Sequence, residues 1–523
     1  MRSFVRPATL AALAALAVSL TACKGKDVAI VRPGDDLDSG TGEDSLDDGV
    51  GGRDGGPLVD AAPQIPDALP FDALPVTEPG APSAPLLAEI RDFEGRFALY
   101  AQNLVTGGAV THGAEEWLSA APFMRLWPVV LYAELVSRGQ LDPAQTVPFT
   151  ADFYRGGGDD DLTPTDYGKP YELSRLANLT LLSANPSAEE LLLSVIGGSP
   201  AVNTLIDSMG IEGMGHYLGP CEMDHAFYHR LDPRFDDISC PKLAVFVRNE
   251  DARGLVPAPF DAAPTYTDQQ LGDAWQASMD AHDNAATAHG IGETLARLHG
   301  KALPDTAGSI AARELLDHAL GSGGGGNNLP DPVWVSNIQG PVFKGRVWAA
   351  LVRGGDAPMV LVLMSDRETG RGAVGARFDR SGQLAYEQIV GPIDLTRPAA
   401  AVDLPAWLGG IFVHEPDESS HCNSEHSNDY AGLVACRRDA QRTVFHVSES
   451  TAATVMVSDG PDVEATWLWT EPDGTRHRYQ VKLGAGGWWA WTRSFQATIV
   501  GPWRLDVWLN AQPFKLGDFT VVE

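Results

Sequence analysis

The order of strand and helix patterns between residues 85 and 396 limits most strongly what this chain can fold into. Phe97 to Val105 alternates like a strand, and Thr106-Gly107-Gly108 supplies a turn before a second strand at Ala109 to Thr111. Further strand patterns follow toward the far end of this segment, at Val333 to Ile338, Arg346 to Val352 and Met359 to Met364. A single sheet would therefore be assembled from the two ends of the segment.

Helical patterns occupy the middle of the same segment. Pro122 fits the first position of a helix, and apolar residues recur at helical spacing from there until Gly139. Residues 85–396 are therefore predicted to form an α+β domain with an antiparallel sheet and a helical subdomain. The other predicted helices are Tyr171 to Leu182, Ala188 to Ile196, Ala201 to Met209, Ile291 to Leu298 and Ile310 to Leu320.

From about Leu404 onward the sequence shows short strand patterns, and Pro472-Asp473-Gly474 is a turn signal among them. We predict a small all-β sandwich over residues 404–523. Its tryptophans could form a sugar-stacking platform, but the alternation favours packing in the core. The strand candidates are Val444 to Val447, Thr454 to Val457, Thr466 to Trp469, Arg478 to Val481, Trp488 to Trp491 and Trp503 to Trp508.

The N-terminus predicts export. A short cationic start precedes the apolar stretch Leu10 to Leu20, which is too short to cross a bilayer, so residues 1–22 are expected to be a signal peptide. Leu20-Thr21-Ala22-Cys23 resembles the lipobox of bacterial lipoproteins, in which the cysteine is acylated. The alternative is an ordinary secretory peptide with an incidental cysteine. We expect an exported lipoprotein anchored at Cys23, on the outer membrane facing the periplasm, with the cell surface as the alternative.

Residues 23–84 are rich in Asp, Gly and Pro and poor in the side chains that build a core. Such a segment cannot bury enough apolar surface to offset the entropy of ordering, so a disordered tether is expected. Its acidic residues contribute to a formal net charge of -31. Because that charge repels polyanions, nucleic acid is not expected as a partner.

The four remaining cysteines agree with export. They allow three pairings, and their spacing favours the two local disulfides, Cys221 with Cys240 and Cys422 with Cys436. A metal site is the alternative, because acidic residues and histidines stand near these cysteines, and the spacing of two of them would place both imidazoles on one helix face. No second Cys-x-x-Cys and no His-Glu-x-x-His supports it, so neither a metal nor another cofactor is predicted. The acidic residues and histidines concerned are Glu222, Asp224, His225, His229, His421 and His426.

Three stretches in order give residues 86–392 a resemblance to the class A β-lactamases and penicillin-recognising serine hydrolases. Ala121 to Asp142 is similar to the family's nucleophile helix with its Ser-x-x-Lys. Leu181 to Gly198, which contains Ser183-Ala184-Asn185, is similar to the Ser-Asp-Asn segment. Asn328 to Ser365 is similar to the Lys-Thr-Gly strand and the two strands after it. The resemblance implies a β-lactamase/transpeptidase-like fold.

The same resemblance implies that the catalytic residues are replaced. The nucleophile position holds Pro122, which also lacks the N–H that the family's serine contributes to the oxyanion hole. The lysine position holds Arg125, whose guanidinium stays protonated and cannot act as a base. Ser183 and Asn185 keep the hydroxyl and the carboxamide, but Ala184 replaces the acid between them. Ser183 and Asn185 could bind a peptide carbonyl or merely cap the following helix.

The remaining catalytic positions are also changed. Val335 to Gly340 reads Val-Ser-Asn-Ile-Gln-Gly where the family has Lys-Thr-Gly, and the nearest lysine is Lys344. No Glu-x-x-Leu-Asn stretch is evident, and the region from Glu212 to Cys240 has diverged. Ser119 has no lysine one turn further on, so it does not replace the nucleophile.

Three interpretations follow from these observations. The leading one is an inactive binding or scaffolding lipoprotein, anchored to the membrane, with peptidoglycan or an envelope protein as its partner. The second is an active β-lactamase or D-alanyl peptidase with a rearranged site. The third places the function in the C-terminal module, from Leu404 onward, with the larger domain as support.

Overall fold

The structure is a computed structural model and describes most of the chain after the tether. The predicted signal peptide, Cys23, most of the tether, His421 and His426 lie outside the described residues. The described residues are 79–93, 95–156, 162–248, 266–300, 302–303, 306–318, 325–330, 333–342, 344–354, 357–367, 374–393, 408–414, 422, 430–447, 449–458, 463–483 and 488–523.

The described helices lie mainly between residues 84 and 389, with one more in the C-terminal region. They are α1 (Ala84–Arg91), α2 (Ala121–Met124), α3 (Leu126–Ser137), α4 (Leu173–Leu182), α5 (Pro186–Ile196), α6 (Gly198–Met209), α7 (Pro220–Leu231), α8 (Cys240–Arg248), α9 (Asp268–Asp280), α10 (Ala288–His299), α11 (Thr306–His318), α12 (Val374–Ile389) and α13 (Tyr430–Asp439).

The described strands fall into two groups, one on either side of residue 400. They are β1 (Arg96–Asn103), β2 (Ala109–His112), β3 (Leu118–Ser119), β4 (Thr146–Pro148), β5 (Pro170–Glu172), β6 (Ala285–Ala286), β7 (Trp334–Val342), β8 (Gly345–Arg353), β9 (Met359–Asp366), β10 (Leu408–His414), β11 (Val444–His446), β12 (Ser450–Ser458), β13 (Val463–Thr470), β14 (Arg476–Leu483), β15 (Trp488–Gln496), β16 (Gly501–Leu509) and β17 (Gln512–Val522).

The main sheet joins the two ends of the first domain, as the sequence predicts. Its order is β2-β1-β9-β8-β7, and every pair is antiparallel. Neighbouring residues of β8 point to opposite faces. Val347 faces the helical subdomain with Trp127, whereas Trp348 faces α1 and α12 with Phe378. The sheet is therefore buried on both faces, which confirms the predicted α+β arrangement.

The helix predicted to run from Pro122 to Gly139 is interrupted. The structure divides it into α2 and α3, with Arg125 between them. Pro128 has no N–H to donate to the carbonyl of Met124, four residues earlier, and this removes a hydrogen bond that a continuous helix requires. The break therefore fixes Arg125 at the junction of two helices.

The C-terminal residues form the predicted sandwich. One sheet has the order β10-β12-β15 and the other β11-β17-β16-β13-β14, in which β11 and β17 run parallel. Trp467, Trp469 and Trp503 are fully buried between them. Core packing is therefore the role of these three tryptophans.

The sandwich is docked on the first domain through β14. The Arg478 guanidinium, which is buried, donates to the main-chain oxygens of Leu329, Pro330 and Val333 at 2.7, 2.9 and 3.2 Å. Gln480 donates to the carbonyl of Val333 at 3.0 Å. Because these acceptors are main-chain oxygens, the contact depends on the shape of residues 329–333 more than on their side chains.

Several helices were not predicted from sequence, including α7, α8 and α9, and α7 and α8 pack on a small apolar cluster of their own around Phe235. Among the described residues no single helix has the length and apolarity needed to cross a bilayer. Only α5 and α6 taken together, bent by 78° at their junction, satisfy that test of length and composition.

Candidate functional site

The head of α2 packs directly against strand β7. Pro122 is buried, and a Cβ added to Gly340 would lie 2.9 Å from the Cγ of the Pro122 ring. Only a glycine allows the strand to approach this closely. The structure thus brings together the two segments that the resemblance places in one cleft, and the groups that meet there are a proline ring and a glycine.

The direction of the backbone N–H groups along β7 follows from one hydrogen bond. The N–H of Val335 donates to Gln480 Oε1 at 2.8 Å, so it points away from β8. β7 pairs with β8 without a register shift, and β7 is the outer strand of the sheet. Since alternate residues of a strand repeat this direction, the nitrogens of residues 337, 339 and 341 also face outward.

Residue 341 is a proline. Its partner in the ladder, Arg346, donates its N–H to Ser365 Oγ of β9 at 3.1 Å, as expected for a pair without mutual hydrogen bonds. Proline is tolerated there because an outer strand loses no ladder bond. Pro341 follows Gly340 directly, so both main-chain positions beside the contact, 122 and 341, lack an N–H. Pro341 was not among the residues predicted from sequence, although it directly follows Gly340 in the stretch that resembles Lys-Thr-Gly.

Arg125 is held by a buried carboxylate. Its Nε lies 3.5 Å from Glu189 Oε2, and the two side chains are 26% and 5% exposed. The other oxygen of Glu189 accepts a hydrogen bond from the Tyr217 hydroxyl at 2.7 Å. Burial, followed by the charge of Glu189, raises the pKa of Tyr217 well above its usual value. Tyr217 therefore stays protonated and donates to Glu189.

A second ion pair lies beside the first. Arg155 Nε is 3.2 Å from Glu190 Oε2, and the N–H of Cys221 donates to the same oxygen at 3.1 Å. Consecutive carboxylates of α5 thus pair with two arginines. Neither glutamate was predicted from sequence, where the only signal was their place on the helix after Asn185.

Asn185 of the Ser183-Ala184-Asn185 segment stabilises the start of α5. Asn185 is buried, and its Oδ1 accepts hydrogen bonds from the N–H groups of Ser187 and Ala188, both at 3.0 Å. It therefore caps α5, which was one of the two roles considered. Ser183 ends α4, and Ala184 has a positive φ of 50°. The turn thus directs the carboxamide oxygen of Asn185 toward the start of α5, where it accepts hydrogen bonds from the helix.

Lys344 and Ser119, the other residues considered as replacements for the family's lysine and serine, lie away from the contact between α2 and β7. Lys344 is exposed in the turn between β7 and β8, with a positive φ of 49°. Ser119 is buried in β3 and pairs with Ala285 of β6. Neither position belongs to a helix start that could present a nucleophile beside a lysine.

Both local disulfides are present, Cys221 with Cys240 and Cys422 with Cys436. His225 lies beside the first of them, with potential ligand atoms of the three residues within 4.8 Å of one another. His229 instead bonds Asp236, with Nδ1 2.7 Å from Oδ2. Because the two sulfur atoms are bonded to each other, they are not thiolate ligands in this state.

Comparison with known proteins supplies a family for residues 83–389, which match the model described as the beta-lactamase enzyme family. No curated protein sequence matches the chain significantly. Three similar solved structures each share little identity. They are a variant of PBP-A in an acyl-enzyme complex with penicillin G (12% identity, 58% of this chain and 94% of that chain covered, TM-score 0.43), a beta-lactamase from Chitinophaga pinensis (12%, 58% and 97%, 0.42) and one from Xanthomonas campestris (15%, 59% and 97%, 0.41).

Proposed function

The chain belongs to the beta-lactamase enzyme family through residues 83–389, and from this premise we propose that it is a lipid-anchored envelope protein whose hydrolase-like domain binds a partner without catalysis. The proposed partner is a peptide of peptidoglycan, with an envelope protein as the alternative. Cys23 is the proposed site of acylation. Two acyl chains or more would hold the protein durably at the membrane.

One observation carries the inactive assignment: Pro122, at the contact between α2 and β7, and Pro341, the outward-facing residue of β7 next to Gly340, both lack a backbone N–H. Acyl transfer requires N–H donors aimed at the oxygen that becomes negatively charged. Pro122 and Pro341 have none, and Pro122 has no hydroxyl with which to attack. Removing a single oxyanion-hole donor already costs a factor of about 100 to 1,000 in rate.

The arginine supports the same proposal. A lysine can lose its proton and serve as a base, whereas the guanidinium of Arg125 remains charged. Its ion pair with the buried carboxylate of Glu189 further stabilises that charge. Residues 122 and 125 therefore offer neither a nucleophile nor a base.

Acylation by penicillin tests the inactive assignment. The purified protein, incubated with a fluorescent penicillin and analysed by intact-mass spectrometry, is expected to show no added mass. An active penicillin-binding protein serves as the positive control. A stoichiometric covalent adduct, or nitrocefin turnover abolished by one serine substitution, would establish the active hydrolase instead.

The anchor is tested separately. In a bacterial host that processes lipoproteins, the wild-type chain should incorporate an alkyne-labelled fatty acid and fractionate with membranes. Cys23→Ser should lose both properties. Labelling that persists in Cys23→Ser would contradict the proposed anchor without affecting the assignment of the cleft.

Binding is tested by co-sedimentation with purified peptidoglycan. We expect the full-length mature chain to sediment with it. Ser183→Ala, which removes the hydroxyl considered above as a donor to a peptide carbonyl, should bind less if the hydrolase-like domain is responsible. Unchanged binding in that variant would favour the C-terminal module as the binding part.

A further inference from the structure

The Cys221–Cys240 disulfide has surroundings that favour its opening. Cys221 is the second residue of α7, and Cys240 is the first residue of α8. Both sulfur atoms therefore stand in the first turn of a helix, where the partial positive charge of the helix stabilises a thiolate. The helices have 12 and 9 residues, so each has a developed dipole.

A histidine adds to this effect. His225 follows Cys221 by one turn on α7, and its imidazole and both sulfur atoms lie within 4.8 Å of one another. A protonated imidazole at that distance stabilises a thiolate through its positive charge. Reduced Cys221 and Cys240 would thus gain stabilisation from two helix ends and one ring.

Three charged groups next to the two cysteines, Glu190, Glu222 and Lys242, are either paired or exposed. Glu190 accepts from the N–H of Cys221, but its charge is matched by Arg155 at 3.2 Å. Glu222 accepts from the N–H of Gly219 at 3.1 Å, at the start of the helix, and its side chain is exposed. Lys242, two residues after Cys240 in α8, is exposed as well.

We propose that Cys221–Cys240 is a site of reversible thiol–disulfide exchange, with a dithiol as the reductant. Cys221 is buried, whereas Cys240 is partly exposed, so the reductant's thiolate attacks Sγ of Cys240. The S–S bond breaks and the Cys221 thiolate leaves. The second thiol of the reductant then attacks the mixed disulfide, which oxidises the dithiol and releases Cys240. Two electrons and two protons pass to the cysteine pair.

The surrounding fold can survive this step. α7 and α8 share an apolar cluster that includes Phe235, Ile238 and Leu243, with Phe246 of α8 packed against it. These contacts hold α8 in addition to the crosslink. The disulfide also touches the cleft, because the N–H of Cys221 binds Glu190, the neighbour of the residue that pairs with Arg125. The redox state of this pair can therefore influence the wall of the cleft.

The second disulfide provides an internal comparison. Cys422–Cys436 lies against Phe412 and Leu433, and Cys436 stands in the last half of α13, where the helix dipole does not favour a thiolate. Equilibration of the full-length mature protein in buffers of reduced and oxidised dithiothreitol, followed by alkylation and peptide mass spectrometry, gives the reduced fraction of each pair. Cys221–Cys240 should be reduced at a lower ratio of reduced to oxidised dithiothreitol than Cys422–Cys436.

Variants of His225 and His229 test whether His225 favours the reduction of Cys221–Cys240. His225→Ala should lower the equilibrium constant for reduction of Cys221–Cys240 about tenfold, which corresponds to ~30 mV. His229→Ala, on the same helix but bonded to Asp236, should leave it unchanged. Simultaneous opening of both disulfides, the reverse order, or equal effects of the two variants would overturn the proposal.

A folding control distinguishes an exchange site from a structural crosslink. The double variant Cys221→Ser/Cys240→Ser should retain the far-UV circular dichroism and a cooperative thermal transition. A double variant that fails to fold would identify the bond as a structural requirement and would also overturn the proposal. None of these outcomes depends on whether the cleft binds or hydrolyses a ligand.

Discussion

Asn327 donates two hydrogen bonds to Asp379, one from its backbone N–H and one from Nδ2, each at 3.0 Å. The Oδ1 of the same asparagine accepts from the N–H of Arg478 in the C-terminal sandwich at 2.9 Å. Burial raises the pKa of Asp379 to about 7, although the Asn327 hydrogen bonds and the charges of Arg346 and Arg478 oppose the rise. A carboxyl group of the first domain thus lies at the contact with the second.

The raised pKa predicts that stability falls as the pH rises from about 4 to about 7. In that window folded Asp379 holds its proton, whereas in the unfolded chain, with a pKa near 3.8, it has lost it. The unfolded state therefore binds fewer protons, and the free energy of unfolding decreases with pH. Asp379→Asn should flatten this dependence, measured by urea denaturation at several pH values.

Asp473→Asn is the matched control, because hydrogen bonds in an exposed turn lower the pKa of Asp473. Its effect belongs below pH 4, so it should leave the slope between pH 4 and 7 intact. An unchanged slope in Asp379→Asn would contradict the assignment of the titrating group.

The docking of the sandwich depends on Arg478. Arg478→Ala leaves the carbonyls of Leu329, Pro330 and Val333 without their charged donor, and such hydrogen bonds contribute about 1.5–3 kcal/mol each when taken singly. We expect the calorimetric transition of the mature protein to split into two. Lys482→Ala, on the same strand and partly exposed, should keep the wild-type profile. Two transitions already present in the wild-type protein would show that the domains are not coupled.

Substitution of Glu189 is predicted to lower the free energy of unfolding. Glu189→Gln leaves the Arg125 charge without its partner, at a cost of about 1–2 kcal/mol because Arg125 is partly exposed and water compensates in part. Guanidinium denaturation measures the change. Asp236→Asn, which removes a carboxylate whose side chain and whose partner His229 are both about half exposed, should have no measurable effect. Equal effects of the two variants would mean that Glu189 contributes no more than a surface carboxylate.

Pro122 and Pro341 predict the order in which substitutions would restore acylation by penicillin. Pro122→Ser with Arg125→Lys supplies a hydroxyl, a base and one N–H, so slow acylation by a fluorescent penicillin is expected. Adding Pro341→Ala supplies the second N–H and should raise the acylation rate about 100- to 1,000-fold. Pro341→Ala alone, which has no nucleophile, should remain unlabelled. An equal rate in the double and triple variants would show that residue 341 does not face the reacting group.

The sequence predicted much of the fold because strand alternation and helical periodicity are local. β1, β2, β7, β8 and β9 were recognised in this way, and their position at both ends of the segment predicted the sheet. α7, α8 and α9 were missed because each buries few apolar residues: α7 and α8 pack on a small satellite cluster, and Ala274 and Met279 are the buried apolar residues of α9. The break at Arg125 was missed as well, although Pro128 marked it.

At the site, the sequence alone determined that residue 122 has no hydroxyl and residue 125 no neutral base, because these properties belong to the side chains themselves. Only the tertiary structure decided that Glu189 and Tyr217 hold Arg125, and that Pro341 faces outward beside Pro122. Those relations join residues far apart in the chain. They depend on the packing of α5 against α3 and on the register of β7 with β8, which no local pattern contains.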